Sequence, residues 1–136
     1  MKTLMIKSES GVRKWVREQF GDAAVWIEHS AGGSVGMPDC MILHEQMLWP
    51  VELKYGSMNN GYWSGELRPA QVRVANQMAK HGVVLHILVG SEFDNVLWLV
   101  SFQNYFFGSG KVTGTKMEPV NDEFGLCSAL TKSYIG

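Results

Sequence analysis

The stretch "VELKYG", residues 51–56, decides how this chain is read. Its composition is that of a strand, and strand side chains alternate between the two faces of a sheet. Val51 and Leu53 therefore point one way, and Glu52 and Lys54 the other. A carboxylate and an ammonium thus share one face of a segment whose other face is apolar. Burying such groups is costly unless they are paired or hold an ion.

Working outward, "DCMILH" (39–44) and "LWPVELK" (48–54) read as neighbouring strands joined by a short turn, a hairpin by their spacing. Pro50 interrupts the second, and proline in a sheet belongs at an edge or a bulge, so one or the other is expected there. Upstream, "AVWIEH" (24–29) reads as a strand, followed by the glycine-rich loop "SAGGSVGMPD". "SESGVRKWVREQF" (8–20) places Val12, Trp15, Val16 and Phe20 at helical spacing behind Ser8, a suitable N-cap. At about 100° per residue, Glu9 falls on the apolar face of that helix and Glu18 well off it. Downstream of a polar loop (57–66), "RPAQVRVANQMAKHG" reads as a helix that begins at Pro69 and stops at Gly82. Val74, Ala75 and Met78 share a face with Gln71. "VVLHILV" (83–89) is an apolar strand of the doubly buried kind, and "NVLWLVS" (95–101) is another strand. The tail from Gln103, with "YFF" at 105–107, gives no clear element. A helix crossing between two strands implies a mixed sheet with helices packed on it.

The 136 residues fit one domain, and 46% hydrophobic with 18% charged residues is an ordinary globular balance. No apolar run is long enough for a membrane span, and the first residues lack the apolar block of a secretory signal. Cys40 and Cys127 show no paired spacing. These features lead to the expectation of a cytoplasmic protein with free thiols and no membrane partner. The net charge of −1 gives no global support for a nucleic-acid partner. Locally, residues 1–20 hold Lys2, Lys7, Arg13, Lys14 and Arg17 against Glu9 and Glu18, which fits either a solvated helix face or a basic patch. The four histidines have no zinc spacing, and "GSGK" (108–111) lacks the rest of a phosphate loop.

Adjacent strands lie about 4.8 Å apart, so Asp39 and Glu52 are within reach of one ion. Two carboxylates that close repel, and a hard divalent cation relieves the repulsion. Pro38-Asp39 followed by Glu52-Leu53-Lys54 resembles the PD-(D/E)xK nuclease superfamily. "GMPD" (36–39), "PVELKYG" (50–56), "ELRPAQ" (66–71) and "HGVVLHILVGSEFD" (81–94) occur in the order and spacing of its VRR-NUC nucleases, and "KSES" (7–10) is similar to their first-helix glutamate segment.

The resemblance implies an α/β restriction-endonuclease-like core, αβββαβ, over about residues 7–100, with a C-terminal extension over about 101–136 in the same single domain. It implies Mg²⁺ or Mn²⁺ held by Asp39, Glu52, the main-chain carbonyl of Leu53 and Glu9, the last directly or through water. It places Lys54 at the attacking water and Gln71 beside the active centre. The family has Ser or Thr before its Pro-x-Gln where this chain has Arg68, which weakens the helix cap and adds a candidate phosphate contact. Arg13, Lys14, Arg17, Ser30, Arg68 and Arg73 are the candidate DNA contacts. The implied function is structure-selective cleavage of branched DNA such as Holliday junctions by a homodimer. The alternatives are an inactive DNA- or protein-binding module on the same fold and a nuclease for flap or single-stranded DNA.

Overall fold

The structure, a computed structural model, describes residues 6–28, 35–56, 58–59, 62–63, 65–93, 95–105, 115–116 and 118–135. Helix α1 (Glu9–Phe20) and a 3₁₀ turn (Gly21–Ala23) lead into β1 (Ala24–Trp26), β2 (Cys40–His44) and β3 (Met47–Tyr55). Two short strands, β4 (Met58–Asn59) and β5 (Tyr62–Trp63), precede α2 (Pro69–Lys80). Then come β6 (His86–Gly90), β7 (Leu97–Ser101), α3 (Phe102–Tyr105), β8 (Thr115–Lys116), β9 (Glu118–Val120) and α4 (Glu123–Ile135). Among the described residues, six strands form one sheet in the order β1-β2-β3-β6-β7-β9, and β4, β5 and β8 form a smaller one.

Only the β3–β6 pair of the main sheet is parallel, and α2 is part of the crossover between them. The first six core elements therefore follow the expected αβββαβ order. Helix α1 starts where the sequence places it: the Ser8 hydroxyl accepts from the Gly11 amide at 3.1 Å. Its residues Val12, Trp15, Val16 and Phe20 are buried against Cys40, Ile42, Val51, Leu53 and Leu88 on one face of the sheet. Each such aliphatic side chain contributes about 1.5–3 kcal/mol on burial. Gly90 allows the close approach of helix to sheet, because a Cβ there would lie 2.8 Å from a Val12 methyl group. On the other face, α2 covers Ile87 and Val89, with Ala75 fully buried and Val72 and Met78 packed beside it. Val72 joins this contact where Val74 was expected. Strand β6 is thus buried on both faces.

The C-terminal segment, unplaced from sequence beyond about residue 101, enters the core. Strand β9 pairs with β7, and α4 brings Leu126, Ala129 and Leu130 into the cluster that surrounds α1. Phe106 and Phe107 lie outside the described residues.

Pro50 corrects a simple expectation. Strand β3 is central, lying between β2 and β6, and Pro50 sits opposite Met41 in continuous antiparallel pairing, with no bulge. Pairing with β6 begins one residue later, at Val51–His86. Successive amides point to opposite neighbours. The Leu53 amide faces the β2 side, so the Pro50 nitrogen faces the β6 side, before that strand starts. No ladder bond is lost, and the position is an edge in local terms only.

Candidate active site

The β2–β3 hairpin turns on Glu45 and Gln46, both at positive φ (51° and 63°). Such a tight turn, with the primed backbone twist, fixes the strand register. Cys40 pairs with Val51, so Asp39 stands one step further, across from Glu52 on the same face. Both are buried, at 6% and 4% exposure. They share a side-chain hydrogen bond, and Glu52 Oε2 is buried with no hydrogen-bond partner. Burial first, then the bond to Asp39 and its charge, push the Glu52 carboxyl up to about 9, against the pull of Lys54. Two carboxyls buried side by side thus disfavour ionisation of Glu52.

Asp39 is oriented from two sides. Its Oδ2 accepts from the Leu53 amide at 2.8 Å, and its Oδ1 accepts from the Arg13 guanidinium. Lys54, half-buried on the Glu52 face, donates to Gln71 Oε1 at 3.5 Å, a long bond. The same oxygen accepts from the Arg68 amide at 2.8 Å, so Gln71 restrains the lysine and also caps α2. This answers the missing Ser or Thr: the reciprocal glutamine bond satisfies the Arg68 amide. Gly36 forms the facing wall. At φ 86° its α-carbon packs on the first turn of α2, where a Cβ would lie 2.3 Å from the Ala70 carbonyl oxygen.

One open cleft of roughly 400 Å³ is lined by Glu9, Arg13, Gly36, Asp39, Glu52, Lys54, Arg68 and Gln71, among others. The five expected catalytic side chains thus reach one cleft. Glu9 differs from expectation in its setting. It lines the cleft but is exposed, and does not lie buried on the apolar face of α1. Among the described residues, no three His, Cys, Asp or Glu side chains converge closely enough to hold an ion by themselves. The donors that do fit a hard cation are the Asp39–Glu52 pair, and the unpartnered Glu52 oxygen marks the side from which it would be met. Cys40 adjoins the pair, but burial and the Asp39 charge push its thiol up to about 12, which excludes it as a nucleophile near neutral pH.

The candidate DNA contacts separate. Arg68 and Arg13 both line the cleft, and Arg13 also pairs with Asp39. Lys14 lies 3.9 Å from Glu18 on the exposed side of α1, and Arg17 lies over the Trp26 ring with its guanidinium carbon 4.7 Å from the ring centre. Arg73 is exposed on α2, away from the cleft, and Ser30 lies outside the described residues. Arg13 stands one helical turn from Glu9 and so shares its side of α1.

The mixed sheet with flanking helices and a cleft at the start of β2 is the restriction-endonuclease-like fold. A solved structure with this architecture is that of Hjc from Archaeoglobus fulgidus, a Holliday junction resolvase from an archaeal hyperthermophile. The two superimpose with a TM-score of 0.54 over 88% of this chain and 96% of that one, at 11% identity. At that identity the likeness is one of fold. No family model and no curated protein matches the sequence, so the narrower VRR-NUC resemblance is not confirmed.

Proposed function

We propose that this chain is a divalent-metal-dependent, structure-selective endodeoxyribonuclease that hydrolyses phosphodiester bonds in branched DNA such as Holliday junctions. The observation that carries the reading is the buried Asp39–Glu52 pair, face to face across a hairpin, with Lys54 on the same face two residues on. As two anions the pair is costly, and Mg²⁺ or Mn²⁺ offsets that cost. Asp39, Glu52 and the Leu53 carbonyl would hold the ion, with Glu9 reaching it directly or through water. A strand residue directs its carbonyl to the same side as its amide, so the Leu53 carbonyl leaves β3 towards Asp39. When bound, the ion supplies an acidified water and offsets charge on the scissile phosphate.

The side chains do the rest. Lys54 orients the attacking water and stabilises charge as it develops on the phosphate. Gln71 holds the lysine in place, and the Leu53 amide holds Asp39. Arg68 meets the phosphate backbone at the rim, while Lys14, Arg17 and Arg73 belong to the flanking surface. The Hjc fold supports branched DNA as substrate, and a junction with paired cleavage points suits a two-fold homodimer. With a net charge of −1, DNA binding relies on local positive groups and should weaken steeply with salt.

The test is a panel of four-way junction, flap, single-stranded and linear DNA with Mg²⁺, Mn²⁺ or EDTA. Junction cutting that requires the ion and disappears in Asp39→Ala and Lys54→Ala supports the proposal. Binding without cutting in any condition identifies a non-catalytic module. Preferential cutting of flap or single-stranded DNA moves the substrate assignment.

A further inference from the structure

Arg13 engages the site by a route that the reaction itself does not require. Its guanidinium donates to Asp39 Oδ1 while the Leu53 amide takes Oδ2, so the chain itself engages both oxygens of that buried carboxylate. The Arg13 side chain is 28% exposed, against 8% for that of Asp39. Behind it stands Trp26, with the guanidinium carbon 5.6 Å from the ring centre. The ring attracts this cation, as it does that of Arg17 at 4.7 Å from its centre, and so supports the guanidinium where it meets Asp39. A guanidinium on Oδ1 neutralises the same charge that would draw a divalent ion, and two cations on one carboxylate repel.

We propose that Arg13 is an exchangeable counter-ion of the Asp39–Glu52 pair, which competes with a divalent cation for Asp39 and must leave that carboxylate for the cation to load. The inference rests on the reading of the pair as a metal site. It makes a prediction opposite to that of a fixed clamp. If Arg13 only held Asp39 in a binding-ready position, its removal would weaken metal binding. As a competitor, its removal strengthens it.

The experiment is a titration of the full chain with Mn²⁺ in the absence of DNA, read by calorimetry and by the rise in melting temperature. Arg13→Gln should tighten Mn²⁺ binding about tenfold, the effect of removing one hydrogen bond to a charged group from the ion-free state. Arg13→Lys keeps the charge but loses the planar fork, and should fall between Gln and wild type. Trp26→Leu touches neither carboxylate and should shift affinity the same way, by roughly threefold, through loss of the ring behind the guanidinium. Affinity in Arg13→Gln equal to or weaker than wild type, with wild-type binding intact, overturns the proposal and leaves the nuclease reading standing. Failure of the wild-type chain to bind Mn²⁺ at all overturns the metal site, and this inference with it.

Discussion

Replacing Glu52 by glutamine should make the ion-free protein more stable at neutral and alkaline pH while removing its ability to cut. Glu52 is 4% exposed, and one of its oxygens is buried without a partner. Burial and the neighbouring Asp39 raise its carboxyl from 4.5 to about 9 in the folded chain. A raised acid favours the native state below its unfolded value, and that advantage is lost as pH climbs through the window between the two values. Each pH unit in the window costs about 1.4 kcal/mol. From pH 4.5 to pH 7.5 the wild-type chain therefore loses about 4 kcal/mol from this group, a large part of the ~5–15 kcal/mol that holds a domain together. Glutamine keeps the shape, never ionises, and its amide donates to Asp39 as the protonated acid does. Urea unfolding in EDTA at several pH values measures the difference. The gap between Glu52→Gln and wild type should be near zero at pH 4.5 and reach about 3 kcal/mol by pH 7.5, after discounting for relaxation around the buried carboxylate. Mg²⁺ should narrow that gap by stabilising the wild type alone. A variant less stable than wild type at pH 7.5, or a gap that does not grow with pH, would refute the reasoning.

Gln71→Ala removes both the bond to Lys54 and the one that caps α2. It should cost about 1 kcal/mol in thermal unfolding and slow junction cutting about tenfold, with the loss in kcat and not in KM. Gly36→Ala forces a Cβ against the Ala70 carbonyl at positive φ. It should destabilise by about 1–3 kcal/mol, read from urea midpoints, and reduce cutting by tilting the first turn of α2. His86 is 1% exposed, and burial lowers it from 6.5 to about 4, so its contribution to stability is present above pH 6.5 and is lost as pH falls towards 4. His86→Leu should therefore lose less stability than wild type between pH 7 and pH 4, by up to about 3 kcal/mol. Parallel acid curves for the two proteins would show that His86 is not the group responsible.

Hairpin parity made much of the centre legible. Once Asp39 and Glu52 are placed on adjacent strands, alternation alone decides whether they face each other. The α1 and α2 boundaries were equally visible, from Ser8 and from Pro69. The pairing of Arg13 with Asp39 depends on where α1 lies over the sheet, a tertiary fact that no local spacing carries. The setting of Glu9 was misjudged for the same reason: the helical wheel finds the apolar face but not where the sheet beneath it ends. Pro50 needed the starting point of β6, thirty-odd residues away in sequence. The final helix has Leu126, Ala129 and Leu130 at helical spacing, but the weakly patterned residues before it hid its connection to the sheet.

The β3–β6 pairing has a consequence for biosynthesis. The strand bearing Glu52 and Lys54 gains its inner neighbour only from residues 86–90, after the helix carrying Gln71 has crossed over. A ribosome-bound chain that ends before this point carries Gly36, both acids and Gln71 but lacks the strand on which the crossover helix packs. The cleft between β3 and α2 therefore takes shape only after residues 86–90 have been made.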